Sequence, residues 1–180
     1  MDTDKYLQDV LRSFRNYKAL GDAAIAQIPA DGDLHTAIDP DSNSIAVIVK
    51  HLSGNLRSRF QDFLTTDGEK PDRNRDGEFE MPERASRADI LRWWNEGWTV
   101  ALTSIEALTP ADLDKTVTIR GEAFLVVEAL NRLVTHAAYH VGQIVYLARH
   151  LAWPHWKSLS LPKGQSAGLK GDFKERGIAR

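Results

Sequence analysis

From Val126 to Leu151 apolar residues recur at helical spacing over a wide arc: Leu130, Leu133, Val134, Ala137, Val141, Ile144, Val145 and Ala148. Pro154 stands just beyond and stops the pattern, because proline lacks the N–H a helix needs. A helix apolar over so wide an arc must be covered by several neighbours. Three other segments can supply the cover. Tyr6, Val10, Phe14, Tyr17, Leu20 and Ala24 form one stripe from about Lys5 to Ile28, ended by Pro29. Ile45, Ile48, Val49, Leu52, Leu56, Phe60 and Phe63 form another from about Asn43 to Leu64, with Ser42 or Asn43 as its cap. Ile90, Leu91, Trp94, Trp98, Ala101, Leu102 and Ile105 form the third, to about Leu108, opened by Ser86 with Asp89 in the capping-box position. Four such helices predict an all-α chain folded as a four-helix bundle.

The connections carry their own signals. The segment from Thr65 to Arg84 is dense in charge, glycine and proline and reads as a long loop. Loops of that length in a compact domain are often functional or mobile. Thr109-Pro110-Ala111-Asp112 repeats the logic of a helix start and predicts a single turn. Thr116 to Ile119 alternates, and Arg120-Gly121 could turn the chain back through Ala123 and Phe124, a short hairpin before the last helix. The long second and third connections admit a topology other than simple up-and-down. From His155 onward the chain is rich in Lys, Gly and Ser. One bundle over residues 1–155 and a partly flexible extension over 156–180 are therefore expected.

Composition narrows the chemistry. At 180 residues the chain suits one domain, and a net charge of -2 gives no reason to expect nucleic acid or an anionic membrane surface as partner. No window of about 18 apolar residues and no basic, then apolar, leader is visible, so the cytoplasm is the expected location. There is no cysteine, which excludes thiolate ligands and cysteine nucleophiles within the chain. Any metal must be held by imidazole, carboxylate or carbonyl groups.

His136 and His140 are four apart in THAAYHVGQ and share a helix face. The series Leu133, His136, His140, Ile144, Leu147 follows the helical period, so both histidines are expected to point into the bundle. Buried imidazoles need partners, and a divalent ion satisfies two at this spacing. His51 lies on the polar edge of the second stripe and can face the pair if the second and fourth helices pack together. Three protein ligands with open positions is the pattern of a catalytic metal rather than a structural one. Neutral imidazoles suit zinc, nickel, copper and iron, and zinc, nickel or iron is the ion expected. Asn55 and Gln143 share faces with the histidines. Each could orient a ligand imidazole or bind substrate, or simply satisfy a polar group of the core. His35 reads as a solvated loop residue, and His150 and His155 as capping and packing residues. Trp93, Trp94 and Trp98 read as core, with Trp93 turned away from Trp94 towards a cleft or interface. Glu128, two turns before His136, is a candidate acid or base, with an ordinary helix-terminal carboxylate as the alternative.

These residues resemble the DinB/YfiT-like superfamily of metalloenzymes, and within it a bacterial branch known as a domain of unknown function. The resemblance rests on residues 42–80, on residues 116–151 with their HxxxHxGQI pattern, and more loosely on the tryptophan-bearing third helix. It implies an up-down-down-up bundle whose metal is held by one histidine of the second helix and two of the fourth, which here are His51, His136 and His140. It also implies thiol-dependent S-transfer, in which a metal-activated low-molecular-weight thiol serves as co-substrate. In many relatives an arginine follows the last ligand histidine, where this chain has Val141. Three functions follow as expectations. The first is a metal-dependent S-transferase acting on a small molecule. The others are a metal-dependent hydrolase and a metal-binding bundle without catalysis. A homodimer is a further expectation, from the family and from the surplus of tryptophan.

Overall fold

A computed structural model describes residues 2–81 and 85–164. Four helices carry it: α1 (Thr3–Ile25), α2 (Ile45–Phe60), α3 (Arg87–Glu106) and α4 (Val126–Leu151). A two-stranded antiparallel sheet, β1 (Thr116–Ile119) and β2 (Glu122–Leu125), precedes α4, with Thr116 opposite Leu125 and Ile119 opposite Glu122. The turn between them sets Arg120 at φ 57° and Gly121 at φ 75°. Two successive positive φ values are the geometry of a tight hairpin turn, which glycine adopts freely. At Arg120 the cost is offset by Asp67, whose carboxylate accepts from the Arg120 and Gly121 N–H groups at 2.9 and 2.8 Å.

The bundle is up-down-down-up. α2 packs most extensively on α3 and α1 on α4, and α2–α4 and α1–α3 contacts close the ring. Sequence neighbours α1 and α2 are therefore diagonal, and the adjacent pair α2 and α3 run the same way. A parallel pair needs a connection that returns along the helix, about 24 Å for α2 at 1.5 Å per residue. That is why residues 61–86 form so long a crossing. α4 buries Val126, Ala129, Leu130, Leu133, Ala137, Val141, Ile144, Leu147 and Ala148, the wide arc its spacing predicts. Phe14 joins three helices, its ring edge-on to Phe60 at 5.5 Å and to Trp98 at 6.1 Å.

Helix ends differ from the periodic reading. α1 stops at Ile25, and Gln27 and Ile28 close a tighter turn onto Ala24 and Ile25. Ile28 precedes Pro29, whose ring disfavours helical backbone there. α2 stops at Phe60, four residues early, because Asp62 takes φ 50° and turns the chain. Phe63 nevertheless returns to the core. The α2 cap is Ser44, which accepts from the Val47 N–H at 3.3 Å, whereas Ser42 donates to Asp39 at 2.6 Å. The capping box of Ser86 and Asp89 and the single turn from Pro110 form as expected. Of the extension, Trp156 and Leu159 pack against the core, and Lys157 exchanges two backbone hydrogen bonds with the Gln27 side chain, at 2.6 and 3.1 Å. The rest of it, 165–180, lies outside the described residues. Among those described, no helix is long and apolar enough to cross a membrane.

Candidate metal centre

α2 presents His51, Asn55 and Arg59 at four-residue intervals, and α4 presents Arg132, His136 and His140 at the same interval. Because α2 packs against α4, the two rows line one cavity of about 560 Å³. Ring centroids of His51 stand 5.6 Å from His136 and 4.8 Å from His140, and those of His136 and His140 are 4.6 Å apart. One nitrogen from each ring lies within 4.8 Å of the others, so the three residues could hold a metal ion. Zinc–imidazole bonds are about 2.0–2.1 Å, which sets tetrahedral ligand nitrogens about 3.3 Å apart, so the rings would draw together on sharing one ion.

The inward register expected for the α4 pair holds only in part. His136 and His140 are half-buried along the mouth of the cavity, while Ala137 and Val141 take the core positions. His51, expected at a polar edge, is the buried member, 5% exposed. The long α2–α3 connection covers it. Glu78, 27 residues on, places its Oε2 2.8 Å from His51 Nδ1. Arg73 donates to both oxygens of Glu78, at 2.7 and 3.0 Å. Phe79 stacks on the His51 ring with centroids 4.8 Å apart and planes at 28°. Gly54 makes this possible, since a Cβ there would stand 2.4 Å from Glu78 Oε1.

The hydrogen bonds assign the imidazole nitrogens. Burial pushes the Glu78 carboxyl up, but its hydrogen bonds from His51 and Arg73 and the Arg73 charge together hold it below the usual carboxylate range. An ionised carboxylate only accepts, so His51 Nδ1 donates to it and Nε2 is the nitrogen left to face an ion. His140 Nδ1 lies 2.9 Å from the carbonyl oxygen of Gln143, and the same logic leaves its Nε2 free to ligate. A carboxylate or carbonyl behind a histidine is the usual support of a metal ligand. His136 has no such support. Its Nδ1 is buried and without a partner among the described residues. Burial first, then the charges of His140, His51, Arg59 and Arg73, push its pKa down to about 3. Burial likewise lowers His140. With His136 and His140 held towards the neutral form and one buried nitrogen unsatisfied, the three residues form a donor set that fits a divalent cation.

The other expected residues fall in different places. Asn55 lines the cavity, 6% exposed, and its Oδ1 is buried without a partner. Gln143 touches the centre only through His140 and otherwise faces a separate groove with Tyr146. Glu128 is not among the residues lining the cavity, and its Oε2 accepts from the Leu125 N–H at 2.8 Å and caps α4. His35 bonds the Ala85 carbonyl at 2.9 Å. His150 and His155 are exposed. Trp94 and Trp98 are core, and Trp93 lines a second cavity of about 310 Å³ on the far side of the Arg73–Glu78 pair.

Periodicity missed the connection entirely. Besides Glu78 and Phe79, it brings Arg73 and Arg75 to the cavity, and the hairpin turn adds Arg120. Glu69 ties this wall together, taking Arg59 at 3.0 Å and Arg120 at 2.9 Å. The signal that could have found it was the loop's length and its alternation of Arg with Glu and Asp. No curated protein matches the chain. The family model described as "Protein of unknown function (DUF1572)" matches residues 2–165. With this bundle and the histidine cluster between α2 and α4, the chain belongs to the DUF1572 family, related to the DinB/YfiT-like superfamily that its motifs resemble.

Proposed function

We propose that the protein is a divalent-metal-dependent enzyme acting on a small molecule, with His51, His136 and His140 as the ligands and S-transfer from a low-molecular-weight thiol as the reaction. The unpartnered Nδ1 of His136, in a cluster whose other two rings are already oriented, carries this reading. Three imidazoles leave coordination positions for a reactant, and the cavity above them is large enough for one. When bound, the ion would draw electron density from a thiol sulfur and lower its pKa. A thiol so activated would form a carbon–sulfur bond with an electrophilic carbon, while the bond to the leaving group breaks and that group departs with the electron pair and takes up the thiol's proton. Asn55 offers an acceptor to the bound reactant, and Gln143 positions His140.

No carboxylate lines the cavity among the described residues, and Glu78 is occupied by His51 and Arg73. The nucleophile would then be generated by the ion itself, as a thiolate or as a hydroxide. Zinc, nickel and iron all suit the donor set. Homodimers and a bundle domain ending near residue 155 remain part of this proposal. Light scattering at assay concentration and truncation after residue 155 test them.

Two measurements test the function. Protein purified without a metal-affinity column and then supplemented should hold close to one ion per chain, and His136→Ala should lose it. A content below about 0.1 per chain, unchanged by that substitution, would remove the site. The metal-loaded protein, given a panel of thiols with alkylating electrophiles, should consume thiol faster than chelator-treated protein. Equal rates across the panel would remove the transferase.

A further inference from the structure

Arginines ring the cavity over the three histidines. Arg59 comes from α2, Arg73 and Arg75 from the long connection, Arg120 from the hairpin turn and Arg132 from α4. Three of them are spoken for. Glu69 takes Arg59 and Arg120, and Glu78 takes Arg73. Arg75 and Arg132 are not held in this way. Arg132 makes no ion pair among the described residues, and its guanidinium lies 5.9 Å from the Phe124 ring centroid. Arg75 is half exposed, sits 5.5 Å from the Phe79 ring centroid, and reaches only the solvent-exposed Asp76, at 4.0 Å.

Charge and shape agree on what such a site attracts. Five guanidinium groups against Glu69, Glu78 and Asp76 leave a local excess of two positive charges, in a chain whose net charge is -2. An arginine left on an aromatic face keeps its planar fork of donors available, and that fork matches a carboxylate or phosphate. The same walls carry apolar surface, Tyr139 at 63% and Phe79 at 37% exposed. Deeper in, the Asn55 Oδ1 is buried and lacks a donor.

We infer that the molecule bound beside the histidines is an anion: a small molecule whose carboxylate or phosphate is held by Arg75 and Arg132, with apolar body against Phe79 and Tyr139 and a hydrogen-bond donor towards Asn55. This rests on reading the cavity as the substrate site of the proposed enzyme. Its two arginines are at the surface, so Arg75→Gln and Arg132→Gln should fold normally, which circular dichroism checks.

The test is calorimetric titration of the full chain, metal-loaded and after chelator treatment, with succinate, glycerol 3-phosphate and the neutral dimethyl succinate. At least one anion should bind about tenfold or more tightly than the diester, as charge-assisted bonds to arginine imply. The tighter of the two identifies the head group. Each single substitution should weaken it several-fold, and the double variant should abolish the preference over the diester. The guanidinium groups do not depend on the ion, so the preference should survive chelator treatment. Equal binding of anions and diester, or an undiminished preference in the double variant, would overturn the inference. Metal content is read separately. An ion without anion preference removes this inference alone, and anion preference without an ion removes the metal reading alone.

Discussion

His51 and His136 face each other across the same cavity and are held in opposite ways. His51 is buried, stacked on Phe79, and bonded through Nδ1 to a carboxylate that Arg73 holds from behind. His136 is half-buried with an orphaned Nδ1. The first is fixed by the fold whether or not a cation is present. The second is a cost to the fold that a cation would relieve, since a buried unsatisfied group costs about 1–3 kcal/mol. One wall of the site is thus tied into the fold, and the other carries the unsatisfied group.

The largest effect should come from breaking the fixed wall. Glu78→Ala leaves Arg73, 4% exposed, as a buried charge with its main partner gone. Removing one partner of a buried pair costs about 3–5 kcal/mol. In a domain of this size that lowers the melting temperature by roughly 10 °C. A loss under 1 kcal/mol by urea titration would mean that the wall is not structural. Protonation acts in the same direction. Glu78 is held below its ordinary carboxylate pKa, so its contribution is complete above that value and disappears as pH falls through the lowered one.

Gly54→Ala should be smaller and has a diagnostic sign. Alanine inside a helix normally stabilises by about 0.5–1 kcal/mol over glycine. Here the new Cβ would meet Glu78 Oε1 at 2.4 Å, so a destabilisation of about 1–3 kcal/mol is expected. A nuclear magnetic resonance shift of the His51 ring should accompany it. A stabilised variant would show that Glu78 moves aside without loss.

His136→Ala should do the reverse of Glu78→Ala. Without metal its stability should fall by less than about 1 kcal/mol or rise, because the orphaned nitrogen is removed. The stabilisation that added metal confers on the parent chain should vanish. A large loss in the metal-free protein would erase the distinction between the two walls. The smallest effect belongs to Asp67, which pins the hairpin turn to the connection. Three backbone N–H groups, those of Glu69, Gly121 and Arg120, hold its pKa down to about 2, from 3.8. Its contribution is complete above about pH 4 and lost as pH falls through 2. Solvent screening keeps it to about 1 kcal/mol or less. Asp67→Asn should flatten acid unfolding slightly over that window.

The helices and the hairpin were legible because their signals are local. Caps at Ser86 and Thr109, stripes at three- and four-residue spacing, and Arg120-Gly121 as a turn all act within a few residues. The histidine triad was legible for the same reason, given that α2 and α4 pack. What periodicity could not show is which face each wall presents to solvent. It placed His51 at an edge and the α4 pair inside, whereas the structure buries His51 and leaves the α4 pair half-buried. A helical stripe records spacing on one helix, whereas burial depends on what lies over it. The cover over His51 is a polar loop whose charges read as solvated because each partner is distant in sequence. Glu78 and His51 meet only after α2 has been laid down and the chain has doubled back.

By itself the sequence determined four amphipathic helices, a hairpin, a cysteine-free donor set, two histidines at a chelating interval and a third on another helix. These follow from the helical repeat and from the chemistry of each residue type. The tertiary structure alone decided that a parallel α2–α3 pair would force a long crossing, and that this crossing would close over the centre. It turned Glu78 and Arg73 into the support of one histidine, left another unsupported, and set Arg75 and Arg132 around the mouth. The physical reason is that desolvation and charge pairing depend on distance in space, and in this fold the decisive pairs are joined by a loop rather than by a helical turn.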